Sequence, residues 1–198
     1  MATATIADHA CLSARLSLPR VGVWLLDAIV DTAEASSGVV TAQVGEIALS
    51  GYVQRSAVFL DAWHVRIIGG AGHVLDAATP RFWQQAPVRN AVASVLSDAG
   101  ETLDSTASAA TVPQWYAVAS ASVGAELSKL ATANGTDTVW RILPGGAFWM
   151  GVDTWADTDA ALVELDRDPI ERVLTFGTAS PSLLPGTTYD GLRIDLVE

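Results

Sequence analysis

The residues that come nearest to chemistry lie between positions 61 and 76, where Asp61-x-x-His64 is followed by His73-x-x-Asp76. Two imidazoles and two carboxylates form a donor set that could hold a divalent metal. The competing reading puts Asp61 and Asp76 in turns and His64 in a strand, where a histidine is more often hydrogen-bonded than ligating. That reading is favoured, and no metal site is assigned. A second acidic group, Asp153, Asp157, Asp159, Glu164, Asp166 and Asp168, lacks the Asp-x-Asp-x-Asp-Gly spacing of a calcium loop. It is expected as a solvated acidic face.

Other chemistries find less support. No Gly-x-Ser-x-Gly elbow is present, and the chain has three histidines, His9, His64 and His73. A hydrolase would have to gather His64 or His73 with acidic residues in a cleft. A pair of glycosidase carboxylates can be fitted to any chain this acidic and decides nothing. The phosphate-cradling Gly-x-x-x-x-Gly-Lys-Ser/Thr loop is missing, and the sole lysine, Lys129, stands in a helical pattern. Cys11 is the only cysteine, so neither an internal disulfide nor a thiolate zinc site can form within one chain. A net charge of −11 speaks against a surface that tracks nucleic-acid phosphates. No apolar run reaches the roughly 18–20 residues of a membrane span, and the start does not read as a leader. The expectation is a soluble protein made in the cytoplasm, with no catalytic residues, cofactor or metal.

What remains unusual is the content of seven tryptophans. Indoles serve both cores and interfaces, because a large apolar body carries one N–H donor. Trp149 and Trp155 flank Gly151 and Asp153 near the end of an expected hairpin, where a ring is hard to bury inside a small barrel. These two are the interface candidates, with stacking on sugars as the competing use.

The elements that must position these residues are mostly short strands. After an alanine-rich lead, β-favouring runs begin at Val21 and continue over 38–44, 47–55 and 57–68, each bounded by Gly, Ser or Asp. Gly45-Glu46 leaves room for a tight hairpin, and Gly69-Gly70-Ala71-Gly72 allows a sharp turn or a close approach. From Pro87 the period becomes helical through Val88, Val92, Val95, Leu96 and Ala99, with Gly100 at the C-terminal cap. A polar stretch over 102–111 precedes a second helix carrying Val123, Leu127 and Leu130 on one face, with Ser122 as N-cap and Asn134-Gly135 as its end. Strand signals return over 138–143, 147–152, 161–165, 172–176 and 192–197, with Pro144-Gly145-Gly146 as a hairpin turn. The fold class is therefore mainly β with a helical insertion: a small antiparallel barrel, two helices, then a second β-unit. The corresponding division is an N-terminal arm at 1–20, a first barrel unit at 21–84, a helical connection at 85–136 and a second β-unit at 137–198.

Three stretches carry a family likeness: Val21-Gly22-Val23-Trp24-Leu25-Leu26-Asp27, Gly51-Tyr52-Val53-Gln54-Arg55 and Ile67-Ile68-Gly69-Gly70-Ala71-Gly72. Their pattern resembles the opening barrel of phage-tail baseplate hub proteins of the late-control-D-like barrel family. The two helices, followed by Trp140-Arg141, the Pro144-Gly145-Gly146 turn and Trp149-Met150-Gly151, are similar to the helix, helix and hairpin of those hubs. Leu184-Pro185-Gly186-Thr187-Thr188-Tyr189-Asp190-Gly191 resembles their later barrel loop. The resemblance implies a homotrimer whose paired barrels alternate into a pseudo-sixfold ring between tail tube and central spike, located in the virion and without catalytic residues. Such hubs are longer. Here Leu196-Val197-Glu198 falls in what reads as a strand, leaving the completeness of the second barrel open and a strand edge for a neighbouring subunit to pair.

Overall fold

The computed structural model describes residues 4–104, 116–118, 122–158, 162–177 and 183–198. The first six strands are β1 (Ala4–Ile6), β2 (His9–Pro19), β3 (Leu25–Val30), β4 (Val39–Val44), β5 (Ile47–Phe59) and β6 (Ala62–Gly69). They pair in the order β1-β4-β5-β6-β3-β2, and β1 pairs with β2 as well, so the antiparallel sheet closes into a six-stranded barrel. Alternation explains the inside: Leu26, Ala28 and Val30 of β3 and Trp63, Val65 and Ile67 of β6 are buried and alternate with half-buried neighbours, until Ile68 and Gly69 at the end of β6 are buried as well.

Two features depart from the sequence reading. The first twenty residues, expected as an arm, supply β1 and β2, and β2 is a full barrel strand paired with β3 from Cys11 to Ser17. The run expected over 57–68 is split by a reversal at Leu60 and Asp61, both at positive φ (49° and 58°). A two-residue hairpin turn needs that backbone conformation, and here it is adopted without glycine. The Gly45-Glu46 loop joins Val44 to Ile47 as expected.

One end of the barrel is filled by Trp24, 1% exposed. A Cβ at Gly51 would fall 2.5 Å from its ring and one at Gly69 would fall 2.6 Å from its Nε1, so both positions must be glycine for the indole to lie flat. The Trp24 Nε1–H donates to the Leu143 carbonyl at 3.1 Å, which ties the barrel to the later hairpin.

Beyond the barrel come β7 (Arg81–Trp83), α1 (Val88–Asp98), β8 (Tyr116–Val118) and α2 (Val123–Asn134). Helix α1 buries Val88, Ala91, Val92, Val95 and Leu96, and Gly100 follows it at φ 67°. Helix α2 is capped by Ser122, whose Oγ accepts from the Ala125 N–H at 3.3 Å. Its buried residues include Val123, Leu127, Leu130 and Ala131. Most of the polar stretch expected over 102–111 lies outside the described residues. At its start Glu101 turns back, buried, and accepts from the backbone N–H groups of Ala71 at 2.8 Å and His73 at 3.3 Å. The glycine-rich turn at 69–72 thus wraps a carboxylate. Burial nevertheless pushes the Glu101 carboxyl above its ordinary pKa, against the pull of the Ala71, His73 and Gly72 amides.

The remaining strands are β9 (Val139–Ile142), β10 (Phe148–Gly151), β11 (Val163–Asp168), β12 (Val173–Gly177), β13 (Thr188–Tyr189), β14 (Leu192–Arg193) and β15 (Leu196–Val197). Among the described residues they form two-stranded ribbons, β9–β10, β11–β12 and β13–β14, in place of a second closed barrel. Strand β15 joins the first sheet instead, pairing Leu196 with Pro19 and Val197 with Leu18 of β2. Barrel, helices and the β9–β10 hairpin share one hydrophobic cluster, in which Trp140 stacks on Phe148 and donates to Ser128 Oγ of α2 at 2.8 Å.

Candidate functional site

The interface candidates Trp149 and Trp155 lie at a joint where the barrel end, the β9–β10 hairpin and the C-terminal loops meet. Hairpin geometry fixes the first: Trp149 is the cross-strand partner of Arg141, whose guanidinium lies 4.3 Å over its ring. A Cβ at Gly151 would fall 2.7 Å from that indole, so glycine there lets the ring fold back along the strand. Trp155, at φ 52°, faces two guanidiniums, Arg20 at 5.1 Å and Arg193 at 4.7 Å from its ring centre. Both indoles are half-buried.

Asp153 sits between these rings and is only 9% exposed. Arg141 Nη1 donates to its Oδ1 at 2.7 Å, and Arg20 Nε stands 3.7 Å from Oδ2, which has no hydrogen-bond partner among the described residues. The expected solvated acidic face is corrected at this residue: a carboxylate so removed from water needs its arginines, since desolvation of an unpaired charge costs several kcal/mol. Arg20 also reaches Asp195 Oδ1 at 3.2 Å, and the Arg20 N–H donates to the Asp195 carbonyl at 2.7 Å. Gly186, at φ 85°, closes the pocket, because a Cβ there would meet Asp153 Oδ1 at 2.5 Å. Of the other acidic candidates, Glu164 pairs with Arg167, which holds its carboxyl below the usual range, and Asp166 and Asp168 lie on the same ribbon. Asp159 lies outside the described residues.

The histidine–aspartate pattern does not converge. Asp61 occupies the hairpin turn, and His64 lies on β6 with its ring edge-on to Phe59. His73 Nδ1 lies 2.7 Å from Asp76 Oδ2, and its ring tilts against Tyr52. Among the described residues no three His, Cys, Asp or Glu side chains are grouped to hold a metal ion. No helix there is long and apolar enough to cross a membrane.

The sequence reading missed Arg20, Arg141 and Arg193. The only available signal was the adjacency of Arg141 to Trp140 at a strand position opposite Trp149, and nothing in the chain marks Asp153 as the common partner of Arg20 and Arg141.

A closed six-stranded antiparallel barrel with two helices and appended ribbons defines the architecture. It is similar to the 43 kDa tail protein of prophage MuSo2 from Shewanella oneidensis, with a TM-score of 0.59 and 10% identity over 81% of this chain and 58% of that one. It is also similar to the tail protein from Neisseria meningitidis MC58, with a TM-score of 0.55 and 12% identity over 82% of this chain and 53% of that one. The chain thus spans just over half the length of these tail proteins. No family model and no curated protein matches the sequence.

Proposed function

We propose that this chain is a structural, non-enzymatic protein of a phage-type tail. In this reading it is an adaptor of the baseplate hub that assembles as a homotrimeric ring between tail tube and central spike in the virion. The observation that carries the proposal is the fold shared with two tail proteins over 81% and 82% of the chain. The surface is consistent with it: Val163, Leu165 and Ile170 are 64%, 65% and 90% exposed on the β11–β12 ribbon, more apolar area than a solitary ribbon needs to show. The partners in this reading are tail tube, baseplate and spike proteins, and neither nucleic acid nor a membrane. The sugar-stacking alternative needs open indole faces, whereas Arg141 lies over Trp149 and Arg20 and Arg193 over Trp155.

Light scattering on the purified protein over a range of concentrations tests this. A trimer, or a complex formed with a spike protein, is expected; a strict monomer that assembles with no tail protein overturns the reading. In the trimer, Trp149→Ala is expected to weaken association by about 2 kcal/mol, the scale of an interface aromatic, with the unfolding midpoint of the monomer nearly unchanged. Association intact in a destabilised variant would make Trp149 a packing residue of its own chain.

A further inference from the structure

Four adjacent strands of the barrel place a line of charges across its outer wall. Arg15 of β2 is the cross-strand partner of Asp27 of β3, Asp27 of Arg66 of β6, and Arg66 of Arg55 of β5. With strands about 4.8 Å apart, the row spans roughly 15 Å. Arg66 grips Asp27 with two hydrogen bonds, Nε to Oδ1 at 2.7 Å and Nη2 to Oδ2 at 2.9 Å. Arg15 reaches Glu198 at 2.9 Å, and Arg55 is exposed. The parallel row beside it, Ser13, Ile29, His64 and Ala57, gives the same wall a shallow floor with small residues at both ends. In a chain of net charge −11 this is a local surplus of arginine.

The β11–β12 ribbon carries the complement. Its inner face is occupied, since Phe176 meets Tyr189 edge-on at 4.9 Å and Arg167 pairs with Glu164 and Asp190. Cross-strand pairing puts Asp166 opposite Thr175 and Asp168 opposite Val173, on the other face. The bulge between Glu164 and Asp166 brings Leu165 to that face as well, against Gly177 and near Val163. Val163, Leu165 and Val173 are 64%, 65% and 49% exposed. This face is an apolar strip carrying the Asp166 carboxylate, with Asp168 at its end accepting from the Ile170 and Glu171 N–H groups, and the barrel wall is a shallow strip carrying guanidiniums.

We infer that the outer face of the β11–β12 ribbon docks on the Arg15–Asp27–Arg66–Arg55 wall of a second copy of this chain, with Asp166 meeting Arg55. The two surfaces are different patches of one chain, so the contact is head-to-tail and closes into a ring when the rotation between copies permits. Charge complementarity fixes register and partner, while the apolar strip contributes most of the binding energy. The inference rests on the ring reading above and names its surfaces.

The test is the concentration dependence of the light-scattering mass for the full chain, for Arg55→Glu, for Asp166→Arg, and for the chain carrying both. Both positions are exposed, so each variant is expected to fold. Each single variant is expected to weaken association about tenfold, and the doubly reversed chain to recover most of the loss, because the swapped charges attract again. If the wild type assembles and either single variant associates as the wild type does, or the double variant shows no recovery, these are not the docking surfaces and the ring reading stands without them. A wild type that stays monomeric by itself overturns this inference, and it overturns the tail-protein reading as well when it also assembles with no tail protein.

Discussion

The barrel and the C-terminal ribbons are both antiparallel β-structure, yet they bury their residues in opposite ways. In β3 and over the first six residues of β6 every second side chain is buried, whereas five of the six positions of β11 are exposed. Closure accounts for the difference. A sheet that returns on itself pairs each strand on both sides and has an inside to fill. A two-stranded ribbon has two free edges and no inside, and is marginal without support. Here that support is local: the Phe176–Tyr189 contact and the arginine set around Asp153. The barrel therefore supplies stability, and the β11–β12 ribbon leaves most of its side chains in solvent.

The sharpest way to break this contrast is at the barrel end. Trp24→Ala leaves a void between Gly51 and Gly69 that neither residue can fill, and it removes the hydrogen bond to Leu143. A loss of about 3–5 kcal/mol is expected, measured as a lower urea midpoint for the whole chain, because barrel, helices and hairpin share one buried cluster. An unchanged midpoint would mean that the indole is not a structural plug. A smaller effect, confined to the other half, is expected from Asp153→Ala. It leaves the largely buried Arg141 without its carboxylate and costs about 3 kcal/mol locally. Amide exchange should accelerate over residues 152–158 and 183–198 while β3, β5 and β6 stay protected. Equal acceleration across the barrel would show that the two halves are not energetically distinct.

The smallest expected effect concerns pH. The Glu101 carboxyl titrates above its ordinary value of 4.5 in the folded chain, because burial outweighs the amides that hold it. A raised folded pKa means that the folded state binds more protons than the unfolded one. This contribution to stability is therefore full below 4.5 and declines as pH rises through the folded value. Wild type should lose stability relative to Glu101→Gln across that window; two parallel pH–stability curves would show that the carboxyl is unshifted.

Much of this contrast was legible in the sequence. The β-favouring run that opens at Val21, the helical spacing of Val88, Val92, Val95 and Leu96, and the cap at Ser122 each rest on a local rule; both helices formed where the rule put them, and the strand formed slightly later, at Leu25–Val30. Strand β2 escaped notice because Ala10, Cys11, Ser13 and Ala14 have weak β-preference and little alternation; pairing with β3 and β1 makes it a strand. Asp61 was expected in a turn and lies in one, yet the strand run over 57–68 was read through it because neither Leu60 nor Asp61 is glycine. Trp149 and Trp155 were picked out by type and position, but their arginine partners come from three separate segments.

Sequence by itself determined the class of the fold: where both helices and many of the strands lie, which helix faces are apolar, and that the chain is acidic and rich in tryptophan. These follow from interactions within a few residues along the chain. Tertiary structure alone decided that β1 returns to β2 to close the barrel, that β15 joins the first sheet and leaves the ribbons unclosed, and that Asp153 is buried between Arg20 and Arg141. Each of those outcomes depends on which distant segments can satisfy a strand edge or a buried charge, and that is settled only when the whole chain is packed.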